Sequence, residues 1–250
     1  MFYGFFYHLY LIGLKGMEHG RNFGMVSTSG ELKVIDIVEH NFQKPIIIDG
    51  GANMGEYSIA CSKIKHARIL AFEPSAPTFE MLRIKVKNIS NIELFQFALS
   101  DEPKKLLLKY DFEGSGIASV VACNFDHYDL HLDKEEIVEG ISIDTFCKNN
   151  KIDRINLLKL DIEGYEFTAL MGAQIMLENE AIDLIQFEMG RPNVDSKIFF
   201  KDFFLYLKGK YNMYRILSFG LIPVTEYSYE YEVFMGCNYL AIRKNLEIKI

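Results

Sequence analysis

Residues 46–58 read Ile-Ile-Ile-Asp-Gly-Gly-Ala-Asn-Met-Gly-Glu-Tyr-Ser. Ile46–Ile48, behind Pro45, form the short β-branched run of a buried parallel strand. Asp49 stands at its carboxyl end. Gly50, Gly51 and Gly55 supply a turn that only small residues can make, and Asn53 and Ser58 add polar side chains before and within a following helix. A ligand in such a place is expected to meet bare backbone N–H groups at a helix N-terminus. The Asp-x-Gly-x-x-x-Gly spacing of Asp49, Gly51 and Gly55 is not the Gly-x-Gly-x-x-Gly of a dinucleotide fold.

Three further groups of residues could do chemistry. In Ala71-Phe72-Glu73-Pro74, Glu73 ends a second strand, 18 residues after Gly55 (73 − 55). An acid there can accept both hydroxyl protons of a ribose, and such charge-assisted hydrogen bonds are worth about 1.5–3 kcal/mol. Phe97-Ala98-Leu99-Ser100-Asp101 follows a third strand, at the edge where an adenine would rest, and Ser100 or Asp101 could accept from its exocyclic amine. Leu158-Lys159-Leu160-Asp161-Ile162-Glu163-Gly164-Tyr165-Glu166 is the densest group. Asp161 ends a strand beside the first, at the switch point where ligands bind in open sheets. Alternation puts Asp161 and Glu163 on one side if the strand continues that far. Carboxylates gathered at such an edge titrate abnormally and can accept a proton. Asp161 and Glu163 are the candidate bases, with Glu188 at the end of a fifth strand as a third. A helix cap needs one acid; Asp161, Glu163 and Glu166 exceed it.

The elements that must position these residues alternate. Strands are expected at 46–50, 68–73, 92–97, 155–161 and 183–188, separated by helical patterns, which is the signature of βαβ units and a parallel sheet. One helix carries Tyr57, Ala60, Cys61 and Ile64 on an apolar face, and the next, capped by Ser75, buries Phe79, Leu82 and Val86. Residues 104–110 and 117–123 read as extra antiparallel strands around the Gly114-Ser115-Gly116 turn. Residues 126–139 are acidic and polar, and Asp144 is placed to cap a helix reaching Asn149. A helix after Gly164 is expected to turn Phe167, Leu170, Met171 and Ile175 inward. A Phe-rich helix at about 196–210 precedes two final strands, 214–219 and 238–243, expected to pair and put one antiparallel strand into the sheet. The 110–140 region is expected to form a flap or side wall of an acceptor pocket.

The chain has 250 residues, 49% hydrophobic and 24% charged, with a net charge of −7. That size and composition suit one domain with a real core. The acidic balance argues against a nucleic-acid polymer as partner. Four scattered cysteines without a Cys-x-x-Cys fit a reducing cytoplasm. No apolar run is long enough for a membrane span. The domain reading is an N-terminal aromatic and helical extension, 1–44, packing on a single domain, 45–250, that holds a β-rich and acidic insertion at about 102–140. The aromatic start, with Phe2, Tyr3, Phe5, Phe6, Tyr7 and Tyr10, is expected to pack on the domain or on a second copy of the chain. It lacks the cationic face of an interfacial membrane helix. Asp126, His127, Asp129, His131 and Asp133 contain a His-x-x-x-His pair, but loops of this polarity are usually solvated, and no metal is expected.

The Asp49–Gly55 spacing resembles motif I of class I S-adenosylmethionine-dependent methyltransferases. Taken in order, Asp49-Gly50-Gly51-Ala52-Asn53-x-Gly55, Phe72-Glu73-Pro74, Ala98-Leu99-Ser100-Asp101, Ser142-Ile143-Asp144 and Lys159-Leu160-Asp161-Ile162-Glu163-Gly164-Tyr165-Glu166 resemble the FkbM family of methyltransferases, over about residues 45–190. The resemblance implies an α/β, Rossmann-like class I fold: a mostly parallel twisted sheet, helices on both faces and an antiparallel strand near the C-terminus. It implies S-adenosylmethionine as cofactor and O-methylation of a sugar, glycan or other small-molecule hydroxyl. By position, Asp49, Gly51 and Asn53 would line the methionine side and Glu73 would hold the ribose, with Gly50, Gly55, Ser58, Pro74 and Asp161 as further cofactor-binding residues. Ser100 and Asp101 would lie near the adenine, and Asp161 and Glu163 would face the reacting centre. Two other readings stay open: an N-methyltransferase acting on a protein or nucleic acid, and a non-catalytic module that keeps the cofactor fold. The Asn/Asp-Pro-Pro-Tyr motif of amino-methylating nucleic-acid enzymes is absent, and a module has no need of Glu73, Asp161 and Glu163.

Overall fold

A computed structural model describes residues 2–20, 26–125 and 129–250. In chain order the elements are α1 (Phe2–Gly16), α2 (Glu31–Asn41), β1 (Ile46–Gly50), α3 (Glu56–Cys61), β2 (Arg68–Phe72), α4 (Ala76–Val86), β3 (Ile92–Phe95), β4 (Ala98–Ser100), β5 (Lys104–Tyr110) and β6 (Lys134–Ser142). Then follow α5 (Ile143–Asn150), β7 (Ile155–Leu160), α6 (Glu166–Met171), α7 (Gln174–Glu178), β8 (Ile182–Met189), α8 (Pro192–Ser196), α9 (Phe200–Leu207), β9 (Tyr211–Leu217), β10 (Gly220–Val224) and β11 (Cys237–Arg243).

The main sheet has the order β10-β9-β11-β8-β7-β1-β2-β3. β3, β2, β1, β7 and β8 run parallel, and β11 enters antiparallel between β8 and β9. The chain leaves β1 towards β2 and β3, then returns to the other side with β7 and β8. The carboxyl ends of β1 and β7 therefore flank the crevice where an open sheet binds its ligand. Ile47, Leu157 and Leu184 pack under α2, α3 and α4 on one face. Ile48, Leu158 and Ile185 face α5, α6, α7 and α9 on the other. Burial on both faces explains the apolar runs of these strands. On the second face the Phe187 ring stacks on Phe203, 4.2 Å between centroids, and lies 5.6 Å from Tyr239.

Several local expectations are corrected. Residues 117–123 are not a strand; this segment touches β5 through one bridge, Lys109 to Ser119. The antiparallel partner of β5 is β6, in a small sheet ordered β4-β6-β5. The acidic stretch supplies that strand because lysines face its acids: Lys109 to Glu135 at 2.8 Å and Lys105 to Glu139 at 3.9 Å. Ser75 stands at the α4 N-cap without accepting an N–H; Glu136 of β6 accepts from Ala76 instead. Ser142 caps α5 through the Thr145 N–H. Asp144 accepts from Ile175 and Met176, so it caps α7 rather than its own helix.

The expected helix after Gly164 is broken into α6 and α7. At the break Gly172 lies so close to the chain that an added Cβ would meet the Ser100 carbonyl oxygen at 2.0 Å. Leu170 is buried, while Met171 and Ile175 are exposed. β10 was not anticipated; its Pro223 is tolerated because the strand forms the sheet edge.

Residues 2–10 of α1 are exposed on every side, so the aromatic start does not pack on the domain. Contact begins at Leu14, which is buried. Arg215 of β9 donates to the Met17 carbonyl and meets Nε2 of His19, whose pKa falls to about 4 through burial and the Arg215 charge. α2, in contrast, buries Val34, Ile35, Ile37 and Val38 against the sheet.

Phe187→Ala removes the ring shared by β8, α9 and β11. It is expected to cost about 3–5 kcal/mol, read as a lowered midpoint in denaturant unfolding.

Candidate active site

A cavity of about 430 Å³ lies over the carboxyl ends of β1, β2, β7 and β8. Its floor is the turn after β1. Gly51 (φ 79°), Asn53 (φ 45°) and Gly55 (φ 78°) all adopt left-handed backbone. At Gly51 the constraint is absolute, since a Cβ would meet the Asp161 carbonyl oxygen at 1.9 Å. The N–H groups expected to be bare are largely spent inside the protein. Those of Gly51 and Ala52 bond the Phe72 carbonyl, that of Gly55 bonds Ala52, and that of Asn53 goes to Glu73. The turn therefore offers a close backbone surface, not an anion nest.

Gly51, Asn53, Glu73, Pro74, Asp161, Glu163 and Glu188 line the cavity; Asp49, Gly50, Gly55, Ser58, Ser100 and Asp101 do not. Asp49 is fully buried beneath the turn. It accepts from Ser58 Oγ at 2.6 Å and pairs with Lys159 at 3.2 Å. Gly55 packs on Leu82, where a Cβ would come within 2.5 Å. Ser100 is buried and donates to Asp101, which pairs with Lys104. The wall expected from this segment is made instead by Phe97, Ala98 and Leu99.

Glu73 is 6% exposed. Its two oxygens accept the N–H groups of Asn53 and Ser75, each at 3.0 Å. Burial outweighs those bonds and pushes its pKa up to about 7.

Register explains the other side. Gln186, Lys159 and Asp49 stand opposite one another on β8, β7 and β1. They form a polar row across the three strands. The Lys159 ammonium sits between Asp49 and Asp161, 3.2 Å from each, and 5.0 Å from the centroid of the Tyr57 ring. Burial opposes its charge, but Asp161, Asp49 and Glu31 outweigh that and hold it protonated.

Beyond this row the carboxylates of Asp161, Glu163 and Glu188 each place an oxygen within 4.8 Å of the others, close enough to share a proton or a divalent cation. Burial would raise Asp161, but Lys159 and a hydrogen bond from Glu188 keep it below the usual carboxylate range. Glu188 is pushed well up by burial and by Asp161, and Glu163 by burial, Asp161 and Glu166. Glu163 reaches the group although β7 ends at Leu160, because it takes a left-handed conformation (φ 52°). Glu166 does not line the cavity: it accepts the N–H groups of Ile162 and Gly164 and braces this turn. Burial raises its pKa to about 7.

Residues 114–118 and Val120 form a side wall. Asn53 donates to the Ser115 carbonyl and Ser119 to the Glu163 carbonyl, so this wall is tied to both ends of the site. A smaller hollow of about 130 Å³ adjoins it, sharing Ile117 and Glu163, with Phe125, Leu130, Arg191 and Pro192 around it. Asp129 and His131 are exposed, 3.6 Å apart; Asp126 and His127 lie outside the described residues.

Sequence reasoning assigned no site role to Lys159, Tyr57, Gln186 or Glu31. A lysine inside Leu157-Leu158-Lys159-Leu160 was a signal, because a charge in a buried strand needs a partner. Glu31 carried none.

The strand order, the switch-point cavity and the antiparallel β11 define the class I methyltransferase type of α/β fold. Residues 49–216 match the methyltransferase FkbM domain, and the chain belongs to that family. It is 26% identical over 155 residues to Methyltransferase 1 of Beauveria bassiana, covering 56% of this chain and 61% of that one. It is 25% identical over 163 residues to the hexuronic acid methyltransferase AglP of Haloferax volcanii, covering 64% of each. The chain thus spans about three-fifths of the length of the curated relatives it matches. Among solved structures it overlays on a Streptococcus mutans methyltransferase in complex with SAH at a TM-score of 0.47, with 12% identity, over 86% of this chain and 97% of that one.

Glu73 and Glu166 hold their protons more tightly folded, at about 7, than at the ordinary 4.5. The stability this brings is complete below about pH 4.5 and lost as pH rises through 7. The melting temperature is expected to fall between pH 5 and pH 8, and Glu166→Gln, which mimics the protonated side chain, to flatten that fall.

Proposed function

We propose that the protein is an S-adenosylmethionine-dependent methyltransferase that methylates a hydroxyl of a sugar, glycan or other small molecule. The observation that carries this reading is one cavity that joins Glu73 at the end of β2 to a glycine turn whose N–H groups are already bonded. A pyrophosphate needs free N–H donors at such a turn; a ribose needs an acid, and a methionine-type chain without phosphate needs only a close backbone. The donor set fits. Gly51 leaves room where a Cβ would strike, Phe97, Ala98 and Leu99 offer an apolar bench for an adenine, and Glu73 can accept from a ribose. The walls carry Glu31, Glu56, Glu73, Asp161, Glu163 and Glu188 against the single cation Lys159 among the cavity-lining residues, a lining rich in acceptor oxygens that suits a positively charged cofactor.

When bound, that cofactor supplies a methyl already made electrophilic by the sulfonium, so the protein's first task is alignment. The second is to take the proton of the attacking hydroxyl. Asp161 stays ionised beside Lys159, while Glu163 and Glu188 bind protons more tightly. The three act as one acceptor whose titration belongs to the group. The hollow beside Glu163 is our acceptor pocket: its Phe125, Leu130 and Pro192 suit the apolar face of a ring, and Arg191 a polar or anionic substituent. The named activity of the Haloferax relative on a hexuronic acid supports a sugar acceptor. No helix among the described residues is long and apolar enough to cross a membrane, and all four cysteines are free; a cytoplasmic setting belongs to the same proposal.

Calorimetric titration with S-adenosylhomocysteine tests the cofactor. The wild type is expected to bind saturably and Glu73→Ala about tenfold or more weakly. No binding by the folded wild type sinks the reading. Asp161→Asn is expected to keep cofactor binding and lose about 10²-fold or more in turnover on an accepted sugar. Full turnover by that variant removes Asp161 from the proton-accepting group.

A further inference from the structure

Glu31 is the first residue of α2, upstream of the segment that matches the family. Its position is built with care. Gly30 before it has φ 87° and is wedged so tightly on the end of β9 that a Cβ would meet the Leu217 carbonyl oxygen at 2.3 Å. The helix start is thereby fixed against the sheet. The Glu31 side chain is 6% exposed, yet it lies in the wall of the main cavity with Gly51, Tyr57, Lys159 and Asp161. Most acids at a first helical turn complement the helix dipole in water. This one points inward.

Its partners are neutral. Gln186 Nε2 donates to Oε1 at 2.7 Å and Ser29 Oγ to Oε2 at 2.7 Å. Gln186 is aimed in turn by the Tyr57 hydroxyl, which donates to its Oε1 at 2.8 Å. The ion pairs of Lys159 go to Asp49 and Asp161. Glu31 is therefore a buried carboxylate oriented by three side chains and left without a cation of its own. Burial raises its affinity for a proton, Lys159 offsets part of this, and the Asp161 charge adds to it. A buried acid in that condition favours an arriving cation.

Glu31 and Glu73 both line the cavity, held from different strands. Glu73 closes β2, whereas Glu31 is held from β8, three strands away in the order β8-β7-β1-β2. At about 4.8 Å per strand this separates them by roughly 10–15 Å, with the Gly51 turn between. If Glu73 marks the ribose end, Glu31 stands at the end where the cofactor's amino-acid part would lie. That part ends in an ammonium, which is a strong donor without an acceptor. We infer that Glu31 binds the ammonium group of the cofactor's amino-acid portion, so that the segment before the family domain completes the cofactor site. This rests on the methyltransferase reading above.

The test compares two ligands by calorimetry. S-adenosylhomocysteine carries the amino-acid end; methylthioadenosine keeps the adenine, ribose and sulfur and lacks it. Glu31→Gln is expected to weaken S-adenosylhomocysteine by about tenfold or more while changing methylthioadenosine less than about twofold. Equal weakening of both means that Glu31 only shapes the cavity, and no weakening of either means that it does not meet the ligand; each result overturns the inference. If a melting curve shows that the glutamine variant is unfolded, Ser29→Ala serves instead. It keeps the carboxylate but removes one bond that aims it, and should weaken S-adenosylhomocysteine alone by about threefold. An unchanged or uniform response there also overturns the inference. Failure of the folded wild type to bind either ligand strikes the methyltransferase reading itself, and is thereby distinct from a failure confined to Glu31.

Discussion

One buried ammonium organises this site. Lys159 stands in the middle of a parallel sheet, where a charge is tolerated only if opposite charge surrounds it. Asp49 answers from β1 and Asp161 from the end of β7. Asp49 in turn fixes Ser58 of α3, so the lysine links the strands on both sides of the switch point to the helix after the glycine turn. It also divides the acids by function. Asp161, in its field, stays ionised; Glu163 and Glu188, facing that ionised neighbour, hold their protons. A cluster in which one carboxylate stays ionised and two hold their protons is the consequence of one cation placed asymmetrically among them.

The glycine turn makes a second constraint visible. Its glycines are needed less to expose N–H groups than to let two backbone segments touch. Gly51 lies on the Asp161 carbonyl, and the neighbouring N–H groups bond Phe72 and Glu73. The first acidic edge and the second are thereby joined into one rigid floor. The side wall from 114 to 120 is tied down by the same groups, through Asn53 and the Glu163 carbonyl. The floor and the side wall thus share a support, which suits a reaction whose main demand is alignment.

Much of this was legible in the residue order. Isoleucine and leucine runs marked the parallel strands because burial on two faces admits little else. Glu73 and Asp161 were readable because acids at the ends of such strands have no packing role there. The readings that failed share a cause: each judged a segment by its own pattern. The polar stretch around Glu135 and Glu139 forms β6 because lysines of β5 oppose it. Ser100 and Asp101 do not line the cavity because they bond each other and Lys104. Asp144 caps a helix thirty residues on rather than its own.

The sequence by itself determined the strand-and-helix alternation, the switch point and the acids that end β2, β7 and β8, since these follow from local periodicity and from which residue types a buried strand can hold. Only the tertiary structure decided which acids meet. Glu31, Asp49, Glu163 and Gln186 come from four separate stretches of chain, and their relation to Lys159 depends on strand register and on how α2 lies across the sheet. Electrostatic energy depends on distance and burial, and neither quantity is written in the order of residues along the chain.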